Sequence, residues 1–501
     1  MFAADTLLEV LVSRFDGGIS DNPRETIANQ GVLSSHFDVV TDAHRLIPYR
    51  SSEEDTQDSI SSTDLRQYFL HDFWYDPPSD TLYGYGQKAS ATDKPKIFSK
   101  TSPGASGNWN IPSTAEGGFA AIHGSFIKWT TKLWGFEGTT AICAWTIGST
   151  MNDSAGTVGS SITSVAQSLI SPTDNCMYMF YNNCVVRVDA SGTVTDNVVP
   201  LPTGYSIRSG CLYGNYIAIG LSTGNSAGSS IVVLWMPTLS NFSEVVDFGD
   251  GEIKVLENIS GTLIAVMDVR LSSTNAIAFG KLTVKQYAAG GAIIVKEIQG
   301  AGVSGTFPGF RKVLRDGAVY FPLSMTYDGA TRTGIWVVRK NAAKQIVVTL
   351  AYSDANVAAA NLCQGFAIVG DYFFEVDTSN GKIWKTLDSP GNIFTSIYES
   401  QKFFGNTAAV QKQAQSFFAT YDPFVEGNEQ VVMKYRVDQN TSWTTLFTET
   451  TANAIRTERG TGTGVALPKF REIQFRLEST GDAKITGFGM RYTELGGPTS
   501  D

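Results

Sequence analysis

Two glycine-framed motifs, four histidines, five cysteines and one acidic turn are the places where this 501-residue chain could do chemistry. Gly300-x-Gly302-x-x-Gly305 has the spacing of a dinucleotide-binding loop. That loop works because a helix N-terminus receives the pyrophosphate. Thr306-Phe307-Pro308-Gly309 follows here, which does not start such a helix, so a connecting loop is expected. Gly224-Asn225-Ser226-Ala227-Gly228 has the outline of a nucleophile elbow. An elbow needs strand, sharp turn and helix, whereas this one lies in a Gly/Ser stretch between two apolar runs. His36, His44, His71 and His123 form no i, i+4 pair and have no cysteine beside them, so no metal site is expected. Asp247-Phe248-Gly249-Asp250-Gly251-Glu252 lacks calcium-loop spacing and reads as a turn between sheets. No carboxylate pair stands out for glycoside hydrolysis, and no Ser-x-Asp-x-Gly-x-Thr-Trp box is present. No catalytic, cofactor-binding or metal-binding residue is assigned, and a non-enzymatic protein without cofactor is expected.

The cysteines, Cys143, Cys176, Cys184, Cys211 and Cys363, are odd in number and contain no C-x-x-C. Most fall in apolar runs, so buried free thiols and folding in a reducing cytosol are expected.

The elements that would carry any site repeat. A tight polar turn leads into an apolar strand, and the phrase recurs with Tyr83, Trp134, Tyr178, Ile217, Ile264, Tyr320 and Phe373 as markers. The steps between them are 51, 44, 39, 47, 56 and 53 residues. Periods of roughly 40–50 residues with about four strands each are the signature of a β-propeller. Turn residues precede the markers as hairpins require: Asp174-Asn175, Gly214-Asn215, Ser260-Gly261, Asp316-Gly317 and Gly370-Asp371, with Pro77-Pro78-Ser79-Asp80 in the first unit. Third strands are predicted at Pro95–Phe98, Ala141–Trp145, Val185–Val188, Ile231–Trp235, Ala276–Phe279, Ile335–Val338 and Lys382–Trp384. Outer strands are predicted at Ile293–Val295, Gln345–Val348 and Ile393–Thr395. Only Thr6–Arg14 and Ala408–Gln415 have patterns that suit short helices. The fold class expected is therefore all-β: a seven-bladed β-propeller with an extended N-terminal arm and a C-terminal antiparallel β-sandwich.

Charged residues are 17% of the chain, against about 25% in ordinary soluble domains. The net charge is −10, and residues 1–65 alone hold twelve Asp and Glu against four Arg. No basic patch is visible, which disfavours sequence-specific nucleic-acid binding. No apolar run is long enough for a membrane span, and the start Met1-Phe2-Ala3-Ala4-Asp5 lacks signal-peptide character.

Three regions follow from these patterns. Residues 1–65 read as an acidic, Ser-rich assembly arm with too little apolar surface to fold alone. It is expected to lie along other chains, so that removing residues 1–30 would leave the propeller folded. Residues 66–402 read as the propeller. Residues 403–501 read as the sandwich, because Val431, Met433, Tyr435 and Val437 alternate with Val432, Lys434, Arg436 and Asp438, and Ile473, Phe475 and Leu477 with Glu472, Gln474, Arg476 and Glu478. Phe488, Met490 and Tyr492 complete that set.

The opening Gly17-Gly18-Ile19-Ser20-Asp21-Asn22-Pro23 with Ala28-Asn29-Gln30, and the closing Lys434-Tyr435-Arg436-Val437-Asp438, Ser442-Trp443-Thr444 and Pro468–Leu477, mark two terminal stretches that together cover about a quarter of the chain. In these pieces the chain resembles virion proteins of tailed bacteriophages, in particular nozzle-type propeller proteins of short tails. The resemblance implies a structural ring or adaptor subunit, made in the host cytoplasm and located in the virion tail. It further implies a symmetric homo-oligomer whose partners are other phage tail proteins. Two other classes fit a propeller. A host-attachment protein would bind a surface receptor or glycan through aromatics such as Trp74, Trp109 and Trp129; a glycan hydrolase would need convergent acids.

Overall fold

The computed structural model describes residues 7–18, 31–35, 37–39, 42–49, 52–55, 68–88, 96–105, 107, 109–110, 125–137, 140–147, 151–224, 228–270, 280–288, 290–299, 311–327, 330–352, 365–376, 383–386, 395–405, 408–425, 427–460 and 466–495. Five short strands come first: β1 (Leu8–Val12), β2 (Gly31–Ser35), β3 (Phe37–Asp38), β4 (Ile47–Pro48) and β5 (Ser52–Glu54). A three-stranded sheet follows, made of β6 (Tyr68–Asp76), β7 (Thr81–Lys88) and β8 (Lys96–Thr101).

Four-stranded antiparallel sheets then succeed one another along the chain. One contains β9 (Ile127–Trp129), β10 (Lys132–Glu137), β11 (Ala141–Thr146) and β12 (Met151–Thr157). The next contains β13 (Val165–Ser171), β14 (Cys176–Tyr181), β15 (Cys184–Val188) and β16 (Val194–Thr195). Then come β17 (Ser206–Tyr213), β18 (Tyr216–Ser222), β19 (Ser229–Trp235) and β20 (Glu244–Asp250). After them are β21 (Glu252–Ile259), β22 (Thr262–Arg270), β23 (Gly280–Ala288) and β24 (Gly291–Gln299). The following sheet has β25 (Val313–Arg315), β26 (Ala318–Tyr327), β27 (Ala330–Lys340) and β28 (Ile346–Tyr352). In the last, β29 (Phe366–Val369), β30 (Tyr372–Val376) and β31 (Ile383–Thr386) take β5 as their fourth strand, with Trp384 opposite Glu54.

Every marker residue lies on the second strand of its sheet, which explains the period: each repeat is one hairpin-built sheet. Asp316 and Gly317 both have positive φ, as do Ser260 and Gly261, so these two-residue turns match the twist of the strands they join. Second and third strands are buried on both faces because neighbouring sheets share apolar cores. Tyr83 and Ile97 pack with Leu133 and Trp145; Trp134 and Phe136 with Met177, Met179 and Val186. Tyr178 and Phe180 pack with Ile217, Val233 and Trp235; Ala218 and Val232 with Leu256, Leu263 and Met267. Phe73, Leu82 and Phe98 meet Ala367, Phe374 and Ile383 of the last sheet. Successive antiparallel sheets packed in this way constitute a β-propeller fold.

The remaining strands are β32 (Ser396–Ser400), β33 (Gln411–Tyr421), β34 (Gln430–Val437), β35 (Thr444–Glu449), β36 (Arg456–Gly460), β37 (Lys469–Phe470), β38 (Ile473–Thr480) and β39 (Ile485–Leu495). They make two five-stranded sheets: β1-β39-β33-β36 with β37 beside β33, and β2-β32-β38-β34-β35. Val431, Met433, Ile473, Phe475, Leu477, Phe488 and Met490 form one core between them, as their alternation predicts.

The N-terminal region departs from the sequence expectation. β1 pairs with β39 and β2 with β32, while Phe15, Phe37, Val39 and Leu46 are buried in that same core. The chain forms two compact units: Met1–Ser51, Ile335–Ser353 and Leu387–Asp501 in one, Ser52–Gly334 and Asp354–Thr386 in the other. Divisions at residues 65 and 402 therefore do not coincide with the units, and the described part of residues 1–65 is not a free arm. The physical reason is that its acids find partners within the chain. Asp16 binds Arg14 at 2.7 Å, Glu9 binds Arg491 at 2.9 Å, and Asp55 binds Lys100 at 2.5 Å.

Both expected helices are strands. Residues 6–14 contain β1, where Leu8, Val10 and Val12 point toward the core on a period of two, and residues 408–415 lead into β33. Cross-strand pairing overrides the local pattern. Ile393 and Phe394 of the outer strand expected at Ile393–Thr395 lie outside the described residues; the observed fourth strand is β5, and β32 starts at Ser396 in the other unit. The third strand expected at Ala276–Phe279 lies outside the described residues; the observed one is β23.

Gly489 shows how tightly β1 is held. A Cβ there would sit 2.1 Å from the Val10 carbonyl oxygen and 2.7 Å from Cζ of Phe418. Gly489→Val is expected to push β1 off β39, costing about 1–3 kcal/mol as overpacking does. Hydrogen exchange should then accelerate at residues 8–12; unchanged protection would show that β1 is not held by this contact.

Candidate functional site

The first strands of several sheets share one irregularity. The register to the second strand skips a residue between Leu70 and Asp72, between Ile207 and Ser209, and between Ile253 and Val255, and skips two between Ala166 and Leu169. Such bulges bend a strand and re-aim its side chains. Here they deliver polar groups to Arg311 and Lys312, the two residues just before β25.

Arg311 donates from Nε to Oδ1 of Asp72 at 2.6 Å and from Nη2 to Oδ2, a bidentate pair. Its Nη2 also reaches the Phe126 carbonyl at 3.0 Å. Asp72 in turn accepts from the amides of Phe73 at 2.9 Å and Phe126 at 2.7 Å. The Lys312 amide donates to Gln167 at 2.8 Å. Its ammonium binds the carbonyls of Gly210 at 2.9 Å and of Leu256, and the Glu257 carboxylate at 2.8 Å. Glu257 uses its other oxygen on the Asn258 amide at 3.0 Å. Ser209 accepts from the Leu256 amide at 3.0 Å, and Ser125 and Ser168 meet at 2.5 Å. Two consecutive cations are thus tied to β6, β13, β17, β21 and the entry to β9. Asp72 is fully buried, and Arg311 and Lys312 are each 5% exposed.

The arrangement balances two cations against two carboxylates. All three ammonium protons of Lys312 have acceptors, and both oxygens of each carboxylate are occupied. Among the described residues the Asp72 and Glu257 carboxylates are each held by a cation and by backbone amides. Cys211 lies beside Glu257 and Lys312, but burial first, and then the Glu257 charge, push its thiol well above the usual range. It is not poised as a nucleophile. The cluster can clamp the first strands together, which is a mechanical role.

A second buried pair joins the last sheet to the first. Asp55 follows β5, donates its amide to the Ile383 carbonyl at 2.8 Å, and accepts from Lys100 Nζ at 2.5 Å and Trp109 Nε1 at 2.8 Å. Lys385 caps the Gly104 carbonyl at 3.0 Å, and burial holds its amine below the usual range.

Of the residues read for chemistry, His44 contacts the Ser13 carbonyl at 3.2 Å. His36, His123 and Gly300–Gly305 lie outside the described residues, as does the side chain of His71. Of Gly224–Gly228, Asn225, Ser226 and Ala227 lie outside the described residues, and the element that follows is the strand β19. Asp247–Asp250 end β20 and Glu252 opens β21, as a turn between sheets requires. Among the described residues Cys143, Cys176, Cys184 and Cys211 form no disulfide, and Cys363 lies outside the described residues. Among the described residues no group of three or more His, Cys, Asp or Glu could hold a metal ion. None of their helices is long and apolar enough to cross a membrane. Trp109 and Trp129 are buried and Trp74 is half-buried against neighbouring cores, so they offer no exposed aromatic platform. In the other unit a shallow cleft of about 580 Å³ is lined by Arg45, Asp422, Glu429, Asp482 and Lys484. Its two cations are already paired, Arg45 with Asp422 at 3.4 Å and Lys484 with Asp482 at 3.3 Å.

No protein family and no curated protein matches the sequence. Solved structures similar to it include YCF48 bound to a D1 peptide, with 8% identity, 68% of this chain and 96% of that chain covered, and a TM-score of 0.42. BamB from Moraxella catarrhalis has 11% identity, 76% and 100% coverage, and a TM-score of 0.40. The Cps50 (Swd1) β-propeller domain of Myceliophteria thermophila has 8% identity, 67% and 100% coverage, and a TM-score of 0.40.

Proposed function

We propose that this chain is a non-enzymatic structural subunit of a tailed-phage tail, a ring or adaptor piece that works by presenting rigid surfaces. The reading takes the propeller as seven-bladed and the two five-stranded sheets as a β-sandwich. Seven blades are supported by the run of shared cores from one sheet to the next and by two links further on. β21 neighbours β26, and Tyr320 on β26 stacks edge-on against Phe373 on β30 at 6.2 Å. The core shared by the first and last sheets closes that sequence.

The observation that carries the functional reading is the Arg311–Lys312 cluster. Where first strands converge, it ties two buried cations to two carboxylates and to the carbonyls of Phe126, Gly210 and Leu256, which stiffens this part of the propeller. A repeated rigid subunit gains strength by avidity, several modest contacts acting around one symmetry axis. The test is genetic and biochemical. Removing the gene should give particles without an intact tail, and purified protein should neither bind host cells nor cleave their polysaccharide. Host-cell binding by the isolated protein at micromolar affinity or better would replace this reading with a host-attachment one.

A further inference from the structure

Among the described residues the sheet β1-β39-β33-β36 ends at β1 and at β36, and its outward face carries a ladder of charge. Glu9 on β1 accepts from Arg491 Nε at 2.9 Å. Arg491 Nη1 reaches Glu458 on β36 at 3.3 Å, and Arg456, also on β36, reaches Glu458 at 2.9 Å. The Arg456 and Arg491 guanidinium groups roof the Phe418 ring at 4.4 and 5.9 Å. The ladder therefore begins with a carboxylate at one open edge and ends with a guanidinium at the other. Exposed aliphatic side chains flank both: Leu7 and Leu11, each 56% exposed, at β1, and Ile455, 60% exposed, at β36.

The topology adds a second argument. β1 to β39, β39 to β33 and β33 to β36 are all antiparallel. With an even number of strands, a copy added in the same orientation brings its β1 antiparallel to β36. Open edges of this kind are templates for pairing.

We propose that β36 of one copy pairs with β1 of a second copy, so that the sheet continues from subunit to subunit. Glu9 of the incoming copy faces Arg456 on the outward face, which places Val10 opposite Ile455 on the other face. The contact is heterologous, which closes into a ring if the rotation allows. This inference rests on the reading of the chain as a repeated subunit and supplies the contact that repeats it.

The test is charge exchange between copies, followed by sedimentation at low salt, where such pairs are least screened. The wild-type protein should self-associate. Glu9→Arg and Arg456→Glu should each weaken self-association by at least about tenfold, because like charges then meet at every junction. Mixing the two variants should restore it, since both kinds of junction in the mixture again pair unlike charges. Ile455→Asp, at an exposed side chain, should weaken it independently of any disturbance inside the ladder. A wild-type monomer up to millimolar concentration would overturn the inference, as would variants that associate like wild type or a mixture that stays dissociated. Such a failure would leave the tail-subunit reading standing on its particle test.

Discussion

Arg311→Ala is expected to destabilise the propeller by about 3–5 kcal/mol, the range for breaking one partner of a buried ion pair. Asp72 would remain fully buried without its bidentate cation. Its carboxylate would keep only the Phe73 and Phe126 amides, and the Phe126 carbonyl would lose a donor. Arg311→Lys should recover part of the loss, because a point charge cannot reproduce the fork. Arg311→Gln combined with Asp72→Asn should be milder than Arg311→Ala alone, since no lone charge stays buried. Urea unfolding followed by tryptophan fluorescence measures all three. A loss within about 0.5 kcal/mol for Arg311→Ala, the scale of a neutral surface change, would show that the cluster does not clamp the strands.

Asp55→Ala should have a comparable effect by a different route. Lys100, 1% exposed, would lose its carboxylate, and the buried Trp109 Nε1 its acceptor. The expected loss is again about 3–5 kcal/mol, with β5 released from β31. Protease cleavage near residues 52–55 should become fast in the variant under conditions that leave the wild type intact. Asp55→Asn, which keeps an acceptor for Trp109, should fall between the two. Unchanged proteolysis in Asp55→Ala would mean that the β5–β31 pairing holds without this anchor.

The repeat was legible because its signals are local. The marker strands are apolar on both faces, and turns such as Asp316-Gly317 carry their own backbone requirement. The alternation of Ile473, Phe475 and Leu477 was equally plain, since Gln474, Arg476 and Glu478 occupy the other face of the strand. What stayed hidden depends on distant pairing. Ser52-Glu53-Glu54 looks like a solvated acidic run, and only its partner β31 makes it a strand. Leu7, Leu8 and Leu11 mimic helical spacing, and only β39 decides otherwise. The charge cluster was missed for the same reason, because Asp72 and Arg311 lie 239 residues apart. A hint was present in Asp72 itself, a lone acid within the aromatic run Tyr68–Tyr75. The aromatics read as a possible receptor surface failed because sequence cannot tell a Trp facing solvent from one such as Trp109, walled in by Phe73 and bonded to Asp55.

The β5–β31 pairing also sets a timetable for synthesis. Glu54 leaves the ribosome roughly 330 residues before Trp384, which at about 5–20 residues per second is a wait of about 15–65 seconds. Throughout that interval every earlier sheet can complete itself from neighbouring sequence, while the last cannot. β1 and β2 wait longer still, for β39 and β32. The nascent chain therefore carries early strands with unsatisfied edges past a growing β-rich body, in competition with wrong pairings along the way. Final closure is a single late event, and slowing translation should lengthen the window for misassembly without altering the finished fold.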